Sequence, residues 1–480
     1  MNTQQFIDGA WVDALERGRR EVIDPATEQA IASVAYGGGP DAVRAIEAAQ
    51  RALPAWRART AYDRGALLLR TAELIRGRLT PLAEVTVREA GKPIAEALRE
   101  WQVAADFFEW YAEEGKRGAG YTVPARTPAR RMLVLKEPIG VVGVITAWNF
   151  PAYNPARAIA AALAAGCTVV VRPAELTPLS AMALVEVLSA AGLPPGAVNL
   201  VSGEPHPIGQ AMLDHPALRK LSFTGSVAVG KLLMDGASRT MTRLSLELGG
   251  NAPVLVLPDV DIESVARGAV AARFRNAGQV CVAPQRFYVP RAHAKTFEEI
   301  VIEETRKLPV GPGLEPTTRI GPMISARHRE RVEALIAAAT AGGAQVRTGG
   351  ARLRRPGFFL EPTVLGDVTP TMPAFADEVF GPLFAMTAFD QLDEAIAAAN
   401  NTRYGLAAYV FTQDLAAATR AYEQLDFGMI GVNEWAPQTV EAPFAGRKDS
   451  GVGHECGREG LLDNLETKLV AFGSMLAPGR

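Results

Sequence analysis

The sequence predicts an α/β protein made of two α/β domains, the first carrying a parallel sheet covered on both faces. Three observations lead there. The chain has 480 residues, more than a single core sustains, since cores rarely grow past about 250–300 residues. Between residues 140 and 223, short β-branched runs without polar alternation (GVVGVITA, TVVV, VNLVS, KLSF) are separated by helical stretches. Beyond Gly249-Gly250 the same alternation starts again.

In order along the chain, segment 41–53 (DAVRAIEAAQRAL) sets Val43, Ile46 and Leu53 on one helical face after Pro40. Helical patterns run on to about Tyr111, broken at Pro81 and at Gly91-Lys92-Pro93. The strand-like runs 140–147, 168–171, 198–202 and 220–223 alternate with helix-like 155–165, 181–191 and 206–213. Buried runs spaced by helices read as βαβ units. After residue 250 come strand-like 253–257, helix-like 261–273, strand-like 286–289 and helix-like 294–307. Segment 121–136 (YTVPARTPARRMLVLK) reads as a hairpin that interrupts the first domain. Segment 463–472 reads as a final strand, available to pair with it or with a neighbouring chain.

Composition narrows the function classes. Hydrophobic residues make up 48% and charged residues 21%, a globular balance. Lys+Arg 50 against Asp+Glu 52 gives a net charge of −2, so no electrostatic footprint for nucleic acid is expected. The longest uncharged run, 158–171, stops at Arg172, short of the roughly 20 residues a membrane span needs. No secretory signal is visible at the start. Three cysteines form no disulfide framework, and a reducing, cytoplasmic setting is expected. The five histidines are scattered and none has metal-ligand spacing, so no metal is expected.

A few residues could carry chemistry. Cys281, in RNAGQVCVAPQ, follows a Gly-containing turn. It reads either as a thiolate nucleophile or as a small buried apolar residue, as Cys167 in AALAAGCTVVV does. Cys456 is indeterminate. Glu247, in LSLELGGN, faces away from Leu244, Leu246 and Leu248 at the end of a strand. It is either a general base with a raised pKa or a salt-bridged strand end. Asn149, in TAWNFP, closes a strand where open α/β sheets bind ligands. It is either an amide donor to an oxyanion or a turn former. No strand-linked G-x-G-x-x-G occurs. Instead SFTGSVAVG places Gly225-Ser226 at a helix start, where backbone N–H groups can hold one pyrophosphate.

The motifs TAWNFP, VVVRPAELTP, FTGS, LELGGN, NAGQVC, EVFGP and PFAGRKDSGVGHE occur in that order from about residue 6 to 472. Together they resemble the NAD(P)-dependent aldehyde dehydrogenase superfamily, and within it the succinate-semialdehyde dehydrogenase-like members. The resemblance implies an aldehyde dehydrogenase-like fold with a Rossmann-like NAD domain (1–120 and 139–249), a second α/β catalytic domain (250–446), and a small β oligomerisation arm with the C-terminal strand (121–138 and 447–480). A homodimer or homotetramer follows. It implies Cys281 as nucleophile, Asn149 with the Cys281 N–H as oxyanion hole, and Glu247 as base. Trp148, Arg172, Glu175, Gly225, Ser226, Glu378 and Phe380 match cofactor-lining positions.

The implied reaction oxidises an aldehyde to a carboxylic acid through a thiohemiacetal and a thioester on Cys281. Glu175 is expected to accept ribose hydroxyls and repel a 2′-phosphate, so NAD is expected and NADP disfavoured. Arg172 stands where the family usually has Lys. Arg157 and Arg275 match carboxylate-binding positions, which implies an anionic semialdehyde such as succinate semialdehyde. Gln438 lies near the substrate's far end. With Ala283 in place of a second cysteine, no disulfide switch is expected. Sulfolactaldehyde, 2-oxoglutarate semialdehyde and lactaldehyde are alternatives. Two rival readings remain within the resemblance, a CoA-acylating enzyme and a non-catalytic crystallin-like relative. Glu247 argues against the first, and the intact set Cys281, Glu247, Asn149 and Glu378 against the second.

Overall fold

The computed structural model describes residues 2–473; residues 474–480, the end of the segment expected to join the arm, lie outside the described residues. The first domain is organised by an eight-stranded sheet. Its spatial order is Gly451–Val452, Arg243–Glu247, Leu218–Thr224, Val141–Ile145, Thr168–Arg172, Val198–Leu200, Gln5–Ile7, Ala10–Val12. The five strands from Arg243–Glu247 to Val198–Leu200 are parallel. The continuous burial of VVGVI and TVVVR follows from cover on both faces. Val169 and Val171 pack in one core with helix Tyr153–Ala165, whereas Val170 points into another with Ala42 and Ile46 of helix Gly39–Arg57.

Strand order fixes where a ligand can sit. From Val141–Ile145 the chain winds outward to Thr168–Arg172 and Val198–Leu200. It then returns to place Leu218–Thr224 on the other side of Val141–Ile145. That reversal opens a crevice at the carboxyl ends of the two central strands.

The second sheet has seven strands in the order Gln345–Thr348, Thr363–Gly366, Leu383–Phe389, Pro284–Pro290, Ala252–Val256, Ala407–Phe411, Met429–Val432. All pairs are parallel except the first. A third, antiparallel sheet sets Arg131–Pro138 between Tyr121–Val123 and Leu465–Phe472, so the two segments with spare pairing capacity meet each other.

Two local differences from the sequence reading have clear causes. Pro81 does not break a helix but lies in the first turn of Leu79–Ala90, where its missing N–H removes no helical bond. The C-terminal segment is not confined to the arm: Gly451–Val452 pairs antiparallel with Leu246 and Glu247 and closes the edge of the large sheet.

Candidate active site

Asn149 follows strand Val141–Ile145 at the mouth of the crevice and is buried. Its side chain is oriented by two partners: Oδ1 accepts from Asn154 Nδ2 at 3.4 Å, and Nδ2 donates to the Gln279 carbonyl at 3.1 Å. That carbonyl lies two residues before Cys281, so the amide of Asn149 points at the cysteine loop. The loop is shaped by unusual backbone. Asn276 and Ala277 both have positive φ, 50° and 53°. For non-glycine residues this costs roughly 1–2 kcal/mol each. The structure offsets the strain with hydrogen bonds: the Asn276 N–H to Glu96 Oε2 (2.9 Å), and Asn276 Nδ2 to the carbonyls of Asn149 (3.0 Å) and Gln279 (3.3 Å). Gln279 in turn donates Nε2 to the Asn276 carbonyl and accepts the Ile324 N–H.

Cys281 is half-buried at the end of this loop. After it, the Tyr409 hydroxyl donates to the Val282 carbonyl at 2.6 Å. Gly250 is required here by close approach, because a Cβ would lie 2.4 Å from the Cys281 carbonyl oxygen. Burial pushes the Cys281 thiol up to about 12; the charges of Arg157 and Arg275 work against that, and those of Glu247 and Glu378 add to it. Glu247 ends strand Arg243–Glu247, with its Oε2 buried and without a hydrogen-bond partner among the described residues. Burial lifts its carboxyl well above the ordinary range, and the Arg157 charge partly opposes this. A carboxylate so desolvated is a strong proton acceptor.

The crevice is lined as follows. Trp148 meets His328 edge-on at 4.8 Å and Phe380 at 5.4 Å between ring centroids. Burial, with Arg327 and Arg331 nearby, lowers the His328 pKa to about 4, so the ring is neutral at physiological pH. Gly225 follows the central strand Leu218–Thr224, its N–H donating to the Glu247 carbonyl. Ser226 caps helix Val227–Ala237 by accepting the Val229 N–H. A helix start of this kind leaves free backbone N–H groups, the environment a pyrophosphate needs. Glu378 Oε1 accepts the Gly250 N–H at 3.1 Å, and burial raises its pKa to about 7. Arg172 donates to Glu175 (2.9 Å) and to the Gly203 carbonyl (3.0 Å).

The two candidate anion-binding arginines differ sharply. Arg275 is half-buried beside the turn that carries Asn149, 5.8 Å from the Phe150 ring centroid, with no ion pair of its own among the described residues. Arg157 has its guanidinium against the carboxylate of Glu455, stacks over Phe444 at 4.7 Å and is 2% exposed. Of the two arginines expected to receive the substrate carboxylate, Arg157 is thus already paired with Glu455, whereas Arg275 has no ion pair among the described residues. Gln438 is half-buried in the loop leading to Phe444, with a buried Oε1 that has no partner among the described residues.

The aldehyde dehydrogenase family model matches residues 11–470. The chain belongs to the aldehyde dehydrogenase family. It is 45% identical over 461 residues to a probable NADP(+) succinate-semialdehyde dehydrogenase of Sinorhizobium fredii, covering 96% of this chain and 94% of that one. It is 42% identical to a 3-sulfolactaldehyde dehydrogenase of Pseudomonas putida, covering 99% and 98%. A crystal structure of an E. coli NADP dependent enzyme superposes with a TM-score of 0.97 at 42% identity, covering 98% of each chain.

For this aldehyde dehydrogenase the expected preference for NAD is overturned, because close relatives are named for NADP(+). The physical reason is visible at Glu175. Burial would raise its pKa, but the charge and hydrogen bond of Arg172, a backbone hydrogen bond and the charge of Arg20 together hold it low. The carboxylate is thus neutralised by Arg172 and does not stand as an open negative group against a 2′-phosphate. No helix among the described residues is long and apolar enough to cross a membrane.

Sequence reasoning assigned no role to Lys92, Glu96, Glu100, Asn276 or Gln279, which brace the loops of the aldehyde dehydrogenase site. The spacing of 92, 96 and 100 by four residues was the available signal.

Proposed function

We propose that this aldehyde dehydrogenase oxidises an anionic semialdehyde, succinate semialdehyde foremost, to the carboxylic acid with NADP+. The observation that supports this best is the gathering around one thiol of an oriented amide (Asn149), a desolvated carboxylate (Glu247) and an unpaired cation (Arg275).

Cys281 gives up its proton to solvent and attacks the carbonyl carbon as thiolate, forming the C–S bond, while Asn149 Nδ2 and the Cys281 N–H donate to the resulting alkoxide. The chemistry that bound NADP+ supplies is acceptance of the hydride expelled from the adduct. Cys281 is left carrying a thioester. Glu247 takes a proton from water, the hydroxide adds to the thioester carbonyl, and the C–S bond breaks to release the acid and free Cys281. Arg157, held by Glu455, acts on this chemistry through its charge, which opposes the rise in both the Cys281 and the Glu247 pKa.

The cofactor would be held by Trp148 and Phe380, by the Gly225-Ser226 turn, by Glu378 at the nicotinamide end and by Arg172 at the adenosine end. Arg275 would pair with the far carboxylate, with Gln438 beside it. A sulfonate would satisfy the same arginine, and the Pseudomonas putida relative makes sulfolactaldehyde the second candidate. Tyr121 and Leu469, 60% and 58% exposed on the three-stranded sheet, support assembly of two or four copies through that sheet.

The test is reduced-cofactor formation from succinate semialdehyde, sulfolactaldehyde, lactaldehyde and propanal, each with NADP+ and NAD+. The highest kcat/KM is expected for succinate semialdehyde with NADP+. An uncharged aldehyde ranking first would overturn the anionic assignment.

A further inference from the structure

We infer that Lys92 is a positioning residue for the oxyanion site, its buried ammonium fixing the Asn149 carbonyl and thereby the direction in which the Asn149 amide is presented. The inference rests on the reading of Asn149 as the oxyanion donor.

Lys92 lies in the Gly91-Lys92-Pro93 break between helices Leu79–Ala90 and Ile94–Glu114. Gly91 takes φ +76°, and a Cβ there would stand 2.6 Å from Pro322 Cγ, so only glycine lets the break lie this deep. The Lys92 side chain is 0% exposed and that of its partner Glu100 1%.

An ammonium has three N–H donors, and two of them are used in hydrogen bonds. One goes to Glu100 Oε2, one to the Asn149 carbonyl at 2.8 Å, and the Phe150 ring, 4.1 Å from Nζ, faces the remaining side. The other oxygen of Glu100 accepts the N–H groups of Ala152 (2.8 Å) and Tyr153 (3.1 Å) at the start of helix Tyr153–Ala165. The ion pair therefore grips the turn 149–153 at both ends, by a carbonyl at one and by N–H groups at the other.

One helical turn beyond Lys92, Glu96 accepts the N–H of Asn276, whose side chain donates to the same Asn149 carbonyl. A row at 92, 96 and 100 thus holds both the oxyanion turn and the cysteine loop. Burying such a pair yields little stability over an apolar replacement. Its value here lies in geometry, and donors must be placed within a fraction of an ångström of the developing charge.

The decisive variant is Lys92→Met/Glu100→Gln in the full chain. Gln keeps the acceptor for Ala152 and Tyr153, Met fills the lysine stem, and only the donor to Asn149 and the two charges are lost. Rapid-mixing NADPH formation with NADP+ and succinate semialdehyde is expected to slow about 10- to 100-fold, with KM for the aldehyde within about threefold. In that background Asn149→Ala is expected to cost much less than in the parent, since the two act as one unit. Lys92→Gln/Glu100→Gln, which restores a neutral N–H donor, is expected to recover most of the rate. Glu100→Gln alone is the milder variant and is expected to slow the burst about threefold.

A burst within about twofold of the parent in the Met/Gln variant, or the full cost of Asn149→Ala persisting there, would overturn the inference. Should the Met/Gln variant not fold, a burst unaltered in Glu100→Gln does the same. Asn149→Ala having no effect in the parent would instead strike the oxyanion reading.

Discussion

Arg157 and Glu455 face each other as an ion pair inside the protein, their side chains only 2% and 7% exposed. Ser222 donates to the second carboxylate oxygen of Glu455, so the pair is tied to strand Leu218–Thr224 as well. Breaking a buried pair from one side leaves an uncompensated charge, at a cost of about 3–5 kcal/mol. Arg157→Met is therefore expected to lower stability by that order in urea melts, and Arg157→Met/Glu455→Gln to recover much of the loss. A change under about 1 kcal/mol in the single variant would show that the pair does not carry this load.

Arg275 has no acid bound to it among the described residues and stands beside the turn that carries Asn149. Arg275→Ala is expected to raise KM for succinate semialdehyde about 10- to 100-fold, the worth of a charge-assisted hydrogen bond. The KM for propanal should change little. Equal effects on the two substrates would remove Arg275 from the recognition of the anion.

In the proposed reaction Glu247 would act only in the second half. Glu247→Gln is expected to retain a first burst of NADPH, since Cys281 and Asn149 are intact, and to lose steady-state turnover by about 100-fold or more. In the parent, turnover should climb as pH rises toward the elevated pKa of this carboxyl, and the climb should disappear in the variant. A variant that turns over at the parent rate would exclude Glu247 as the base.

The same residue links activity to stability. Its carboxyl ordinarily titrates near 4.5, and burial raises it well above that in the folded protein. Between those two pKa values the folded state holds a proton that the unfolded chain has released. Raising the pH above 4.5 therefore erodes stability through this group. Glu247→Gln is expected to raise Tm at pH 8 and to leave it unchanged near pH 4, as calorimetry at the two pH values would read. A lower Tm for the variant at pH 8 would mean that the carboxylate has a compensating partner.

The cofactor end offers a separate test. Arg172 neutralises Glu175 and caps the end of strand Thr168–Arg172. Arg172→Ala is expected to raise KM for NADP+ about tenfold and KM for NAD+ much less, by loss of a charged contact to the 2′-phosphate. Parallel losses with both cofactors would place the arginine's role in folding the Glu175 turn.

The first sheet was legible because its central strands are buried on both faces, and such strands appear in the sequence as unbroken Val/Ile runs. The N-terminal strands Arg19–Asp24 and Gln29–Ala35 were not, since RREVID and QAIASVA mix polar and apolar residues on a half-exposed hairpin. At the site, the roles of Cys281, Glu247 and Asn149 were read from the ordered family motifs, because local position left a purely structural reading open for each. The pairing of Arg157 was hidden, because Glu455 is nearly 300 residues away and no local pattern records the contact. The neutralisation of Glu175 was within sight, three residues from Arg172, and misled because each charge was read alone.

Strand Gly451–Val452 lies along Leu246 and Glu247, and the Leu248 N–H donates to the Ser450 carbonyl. The edge at Leu246 and Glu247 thus stays unsealed until a segment near the end of the chain is available. Nascent or prematurely terminated chains would expose bare ladder groups there, a ready template for intermolecular strand pairing. Closure of this sheet edge therefore depends on the last part of the chain.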